Sequence, residues 1–185
     1  YTLAGPEIAV ASTKAYITQL VAFYILALHF AEVKGTLASS EIESIKKELI
    51  AIPNKINELL KNKDNIQKYA SYHFNQKDLF FLGRGLDFAV ALEGSLKLKE
   101  ISYINSEAYA GGELKHGTIA LIEPGTKVIA ALTQSQLKDK MISNIREVKS
   151  RGAEIIAIAY EDEELDLTVF DKVLRIPRTS NMIAP

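Results

Sequence analysis

The sequence predicts an α/β domain built on a parallel β-sheet that is covered by helices on both faces. Short apolar runs recur through its second half, separated by segments with helical spacing. Those runs are continuously apolar rather than alternating, which is typical of parallel strands buried on both faces. Strands are predicted at 78–82, 127–132, 154–160 and 172–176, a further short apolar segment at 119–122, and a helix at 136–151.

The stretch 78–116 carries the clearest motif. An apolar run is followed by Gly83-Arg84-Gly85, by a helix that Asp87 is expected to open, and by a Gly-Gly turn that leads to His116. A strand, a glycine loop and a capped helix form a β-loop-α unit, in which the loop lies at the carboxyl edge of the sheet. Ligands of open α/β sheets bind at that edge.

The helix predicted after this loop carries an unusual stripe of charge. Glu93, Lys97 and Glu100 stand at i, i+4 and i+7, within roughly 60° of one another. Apolar side chains spread around most of the circumference, so the helix is expected to pack on nearly all sides; they are Ala89, Val90, Leu92, Leu96, Leu98 and Ile101. Charges on such a helix are tolerated where they pair with one another or face a wet cleft. The sequence therefore leaves two interpretations of the stripe open: a structural ladder of ion pairs or a functional site.

Composition excludes several functional classes. The 185 residues are 48% hydrophobic, enough for one substantial core. The net charge is −1 without a Lys/Arg block, so nothing indicates a nucleic-acid partner. The absence of cysteine excludes disulfides, thiolate metal sites and a cysteine nucleophile in this chain, and it fits a reducing compartment. Three scattered histidines do not suggest a metal site, and no cofactor is expected.

The N-terminal segment is expected to be irregular over 1–11, with Ser12 as the cap of a helix. The residues that follow, to position 34, are strongly apolar but are interrupted by Lys14 and Glu32. This pattern favours a buried core helix, stopped at Gly35, over a membrane span.

Three short surface helices are predicted next. The first is capped by Ser39 or Ser40 and ended by Pro53, the second begins at Asn54, and the third is capped by Asp64 and runs to about position 74. No chemistry is indicated in this part.

Several strings carry a resemblance to a known family. They are AGPEIAVASTKAY (4–16), LGRG (82–85), ALEGSLKLKEISYINSEAYAGGELKHG (91–117) and the final IAP. They resemble the isomerase region of the glutamine–fructose-6-phosphate aminotransferases, and the likeness covers nearly the whole chain. It implies a single sugar isomerase (SIS) domain over 1–185, the second of two in that family, with a helical layer at 1–75 and a sheet portion at 76–185. The implied fold is a flavodoxin-like three-layer αβα sandwich around five parallel strands.

The resemblance also implies roles for the site residues. Glu100 matches the base that moves a proton between C1 and C2 of the sugar. His116 matches the histidine that opens the fructose ring and reaches into the neighbouring subunit. Lys97 and Glu93 match residues that organise the site. These side chains suit the chemistry, because a desolvated carboxylate tuned by an amine can shuttle a carbon-bound proton and imidazole titrates near neutrality.

Further expectations follow from the same resemblance. Val10, Ala11 and Ser12 match the family's substrate-side loop. The implied activity is conversion of fructose 6-phosphate and glutamine-derived ammonia to glucosamine 6-phosphate in the cytoplasm, by a homodimer. The glutaminase domain, the first SIS domain with its phosphate cradle and the imine-forming lysine have no counterpart in this chain, which is therefore expected to be an inactive fragment by itself.

Two other functions remain open. The chain could be a regulatory SIS domain that binds sugar phosphates without chemistry. It could also be a nucleotide-binding module that uses Gly83-Arg84-Gly85. That motif is weak, because Phe88 replaces the third glycine of the dinucleotide fingerprint and no acidic ribose partner follows about 20 residues later.

Overall fold

A computed structural model describes residues 1–184. Its contacts divide the chain into two compact units, one comprising Tyr1–Asn57 and the other beginning at Glu58.

The first unit contains helix α1 (Lys14–Lys34) and most of helix α2 (Ser39–Leu60). The prediction that Ser12 caps α1 is wrong, because the helix begins after Thr13, whose side chain makes no capping bond. Glu7 satisfies the helix start instead: its Oε1 accepts the backbone N–H of Ala15 at 2.8 Å and lies 3.5 Å from the Ser12 hydroxyl. A carboxylate also complements the positive end of the helix dipole.

The expectation that α1 is a buried core helix is wrong for this chain. Among the described residues, Leu28 is its one buried side chain, while Phe23, Phe30 and Val33 are 66, 59 and 70% exposed. A helix that is apolar all round needs neighbours all round, and the other helix of this unit can cover one side of it. By length and composition α1 could span a membrane, but core helices of soluble proteins pass the same test.

Two boundaries in the helical part also differ from the predictions. Pro53 does not end a helix, because α2 runs through it to Leu60. A proline lacks one N–H donor, and the turns on either side of it continue the helix. Helix α3 (Lys63–Ser71) replaces the predicted third helix and ends before position 74.

The second unit contains a five-stranded sheet in the order β2-β1-β3-β4-β5, and every neighbouring pair is parallel. This is the flavodoxin-like strand order, and the predicted fold class is confirmed. Its elements are β1 (Asp78–Gly83), α4 (Leu86–Ser102), β2 (Asn105–Ala110), β3 (Lys127–Ala131), α5 (Lys138–Lys149), β4 (Glu154–Tyr160) and β5 (Lys172–Ile176).

Strand β2 was not predicted. Its sequence, NSEAYA, has no apolar run that would indicate a strand. The apolar segment at 119–122 is instead a 3₁₀ turn, Thr118–Leu121. The register pairs Gly83 with Ala110, so the loops that follow β1 and β2 begin side by side at the carboxyl edge.

Helices α4 and α5 cover opposite faces of the sheet. Leu82 belongs to the buried core that includes Met141 and Ile145 of α5. The preceding side chain of β1, Phe81, points to α4, where a Cβ added at Gly94 would lie 3.1 Å from its ring. Each fully buried aliphatic side chain in this core contributes about 1.5 to 3 kcal/mol to stability.

The turn after β1 has no room for a side chain at its first position. A Cβ at Gly83 would lie within 3.0 Å of the backbone of Asp87 and Phe88. Glycine therefore lets the first turn of α4 press directly against the end of the strand. This packing is a structural reason for a glycine that the nucleotide-binding hypothesis would use.

The prediction that Asp87 opens α4 is wrong, because the N-cap is Gly85 and Asp87 lies in the first turn. Its buried carboxylate accepts the backbone N–H groups of Thr133 at 2.9 Å and Gln134 at 3.4 Å, and also the Thr133 hydroxyl. The start of α4 is thereby tied to the loop after β3. Burial raises the pKa of Asp87, and the bonds from Thr133 oppose that rise.

The raised pKa of Asp87 predicts a decrease in stability with rising pH. At pH values above 3.8, the ordinary pKa of an aspartate, Asp87 loses its proton in the unfolded chain but keeps it in the folded chain. The free energy of unfolding therefore falls as the pH rises through the folded-state pKa. Asp87→Asn should abolish this component of the pH dependence. Urea unfolding of both proteins between pH 4 and 8 measures it.

Asp139→Asn, an exposed change, is the control and should keep the wild-type trend. Parallel curves of unfolding free energy against pH for wild type and Asp87→Asn would contradict the prediction.

Two buried serines fasten α4 to the edge strand. The Ser95 hydroxyl donates to the backbone oxygen of Ser106 at 2.8 Å, and the Ser106 hydroxyl donates to that of Ser95 at 2.7 Å. Both residues are at most 2% exposed. These reciprocal bonds fix which face of α4 meets the sheet.

Replacing either serine with alanine should lower the free energy of unfolding by about 0.5 to 1.5 kcal/mol, since each change removes one buried hydrogen bond. Ser150→Ala is the control, because that exposed hydroxyl bonds the nearby backbone oxygen of Glu147. Urea unfolding should show a smaller loss for the control. Equal losses at all three positions would contradict the proposed fastening.

Candidate active site

Helix α4 packs along one stripe. Its buried residues are Asp87, Ala91 and Ser95, each four positions from the next. The expectation that it packs on nearly all sides is wrong for this chain, because Leu92 and Ile101 are 50 and 67% exposed. The sheet covers one side of the helix, and the opposite side is free to carry polar groups.

The stripe of charge forms a connected triad. Lys97 Nζ lies 2.7 Å from Glu100 Oε2 and 3.5 Å from Glu93 Oε1. The three side chains keep between 21 and 27% of their surface exposed. The carboxylates are therefore both paired with the amine and accessible from solvent, so the two interpretations of the stripe are compatible.

One amine serves two carboxylates in this triad. The hydrogen bond to Glu100 is the main cause that raises the pKa of Lys97, and the charge of Glu93 adds to it. The ammonium therefore stays protonated at neutral pH. A carboxylate held beside an ammonium and open to a ligand is suited to accept and return a proton.

His116 does not join the triad within this chain. It ends a short 3₁₀ turn, Leu114–His116, whose first residue is 2% exposed and anchors it. The imidazole itself is exposed, and in residues 1–184 no hydrogen bond or ion pair links it to the triad. Its backbone N–H donates to the backbone oxygen of Glu113 at 3.0 Å.

The predicted substrate-side loop belongs to the first unit. Val10 is 90% exposed, Ala11 is buried, and Ser12 contacts Glu7 as described above. All three precede α1 in a segment without regular structure.

Sequence reasoning missed a polar contact beneath the Gly-Gly turn. Arg84 donates to Asn144 Oδ1 from Nε at 3.0 Å and from Nη2 at 2.8 Å. Asn144 is 6% exposed and lies on the same side of α5 as Met141, Ile145 and Val148. A polar residue within an apolar stripe was the available signal, since such a group must have a partner.

A second missed network holds the C-terminal segment. Gln134 Nε2 donates to the backbone oxygen of Asn181 at 2.7 Å, and Asn181 Nδ2 donates to Gln136 Oε1 at 2.7 Å. The segment is therefore fixed at the carboxyl end of β3. In the described residues, no three His, Asp or Glu side chains are grouped to hold a metal ion.

A parallel sheet in flavodoxin-like order, with an acid-amine triad on its first crossover helix, defines an α/β domain with a candidate site on that helix. The chain belongs to the SIS domain family, whose family model matches residues 73–167.

Named relatives refine this assignment. Over its whole length the chain is 58% identical to glutamine–fructose-6-phosphate aminotransferase [isomerizing] of Clostridium perfringens and 46% identical to that of Methanosarcina acetivorans. It spans 31 and 30% of these proteins. In structure it resembles the C-terminal domain of glucosamine-fructose-6-phosphate aminotransferase from Francisella tularensis, with a TM-score of 0.91 and 39% identity. That match covers 98% of this chain and 51% of the other.

The triad geometry predicts unequal effects of its two carboxylates on Lys97. Glu100→Gln should lower the pKa of Lys97 more than Glu93→Gln does, because the nearer partner is the main cause of the rise. NMR titration of the lysine side chain measures both shifts. Glu107→Gln, an exposed change on β2, should leave the titration unchanged. Equal shifts for the two triad variants would contradict the unequal pairing.

Proposed function

We propose that this chain is the second SIS domain of a glutamine–fructose-6-phosphate aminotransferase, an enzyme that makes glucosamine 6-phosphate from fructose 6-phosphate and ammonia released from glutamine. The identity of 58% over the full length of the chain, together with the triad on α4, carries the proposal.

In this mechanism Glu100 is the base that transfers a proton between C1 and C2 of the sugar. Its carboxylate is partly exposed, so a substrate can reach it, and the Lys97 ammonium lies 2.7 Å from it and holds it in place. Glu93 binds the other side of the amine and keeps Lys97 from turning away. The proton stays on one carboxylate throughout, so Glu100 returns it to the adjacent carbon.

His116 is the proposed acid-base group for opening the fructose ring. Its imidazole is exposed and lies on a turn anchored by Leu114. It can therefore contact a substrate that is bound by other parts of the protein. The absence of a link between His116 and the triad in residues 1–184 fits action across a dimer, in the neighbouring subunit's site. Val10, Ala11 and Ser12 are the proposed substrate-side loop.

Other parts of a full-length protein complete the proposed site. Because the chain spans about 30% of its curated relatives, the phosphate cradle, the glutaminase activity and the imine-forming lysine are assigned to the rest of a full-length protein. That protein is proposed to be a cytoplasmic homodimer. The 185-residue chain is one SIS domain that should be inactive by itself.

In the full-length aminotransferase, Glu100→Gln should keep fructose 6-phosphate binding while isomerisation falls by about 10² to 10⁴, the usual contribution of a general base. Fructose 6-phosphate binding and the exchange of the sugar's C1–C2 proton with solvent measure the two properties separately. Glu147→Gln, a partly exposed change on α5, is the matched control and should leave both unchanged.

The outcome also separates the alternatives. A regulatory SIS domain would bind the sugar phosphate in both variants and show no proton exchange in either. A nucleotide-binding module would instead bind a nucleotide saturably in a titration.

A further inference from the structure

Three separate parts of the second unit meet at Arg84. The residue lies in the loop after β1, and its guanidinium donates twice to Asn144 Oδ1 on α5. The same guanidinium lies against the Gly-Gly turn after β2. Arg84 therefore joins a strand end, a helix and the loop that leads to His116.

The Gly-Gly turn has no space for side chains beside this guanidinium. A Cβ at Gly112 would lie 3.0 Å from Arg84 Nη2 and 3.4 Å from Nη1. A Cβ at Gly111 would lie 3.1 Å from Asn144 Oδ1 and 2.9 Å from the sulfur of Met141. The backbone of the turn thus packs directly on the Arg84–Asn144 pair.

Short backbone contacts continue from this turn to the histidine. Gly111 donates to Gly83 at 2.9 Å, Glu113 donates to Ala110 at 2.8 Å, and His116 donates to Glu113 at 3.0 Å. No side-chain hydrogen bond holds the imidazole in the described part of the chain. The placement of His116 therefore depends on the backbone of this loop.

We propose that Arg84 is a positioning residue for His116. Its guanidinium, oriented by Asn144, packs against the backbone of the turn at 111–112. This contact sets the position and direction of the loop that presents the imidazole. No carboxylate pairs with Arg84 among residues 1–184. Arg84 therefore acts here through the planar arrangement of its guanidinium donors rather than through an ion pair. The inference rests on the proposed function of His116.

Arginine is required because two of its nitrogens reach one acceptor while its plane faces the turn. Lysine keeps the charge but has neither the fork nor the flat surface. In the full-length aminotransferase, Arg84→Lys should lower kcat about tenfold and change KM less than about twofold, because a small displacement of a catalytic group reduces the rate more than binding. Gly112→Ala changes the turn in this contact and Asn144→Ala removes the acceptor. Each should have the same effect on kcat and KM as Arg84→Lys.

A double-mutant cycle with His116→Asn separates positioning from general damage. When His116 is absent its position no longer matters, so Arg84→Lys should reduce kcat by less than about twofold in that background. Asn144→Asp retains the acceptor oxygen and should keep kcat near wild type. Arg146→Lys, which keeps an exposed charge on the same helix, is the control and should have no effect.

The outcomes are distinct. If Arg84→Lys costs the same factor with and without His116, or costs nothing in the wild type, the positioning role is overturned. If His116→Asn itself keeps wild-type kcat, the proposed function of His116 fails instead. Thermal unfolding shows whether each variant folds, and if Arg84→Lys does not fold, the cycles with Gly112→Ala and Asn144→Ala decide the question by the same criterion.

Discussion

The close contact between the end of β1 and the start of α4 is the constraint on which the site depends. Gly83 has no side chain, so the helix begins against the strand itself. Asp87 then ties the first turn to the loop after β3, and Ser95 ties the middle of the helix to β2. These contacts fix both the direction and the rotation of α4. With its inner stripe fixed, the helical period places Glu93, Lys97 and Glu100 away from the sheet.

That placement has an electrostatic consequence. On the inner face, three ionisable groups would lose their hydration and cost several kcal/mol each unless fully compensated. On the outer face they retain partial contact with water and bind one another. The same position that makes the charges tolerable leaves them accessible to a ligand. Stability and the proposed chemistry therefore favour the same arrangement.

The strands that are buried on both faces were predicted, because their apolar runs are a direct result of that burial. Edge strand β2 was missed, because its sequence, NSEAYA, has no apolar run. Asp87 was assigned to a cap from its place before a helix, whereas its carboxylate bonds Thr133, 46 positions away. Local pattern contained no information about that partner.

The sequence by itself determined the α/β class, the glycine loop after β1 and the spacing that gathers the triad, since these depend on backbone periods within a few residues. Only the tertiary structure decided which side of α4 is covered, that α1 remains largely exposed, and that Arg84 meets Asn144 beneath the loop of His116. Arg84 and Asn144 are 60 positions apart. Contacts of that kind arise from the packing of whole helices and strands. No local periodicity in the sequence predicts them.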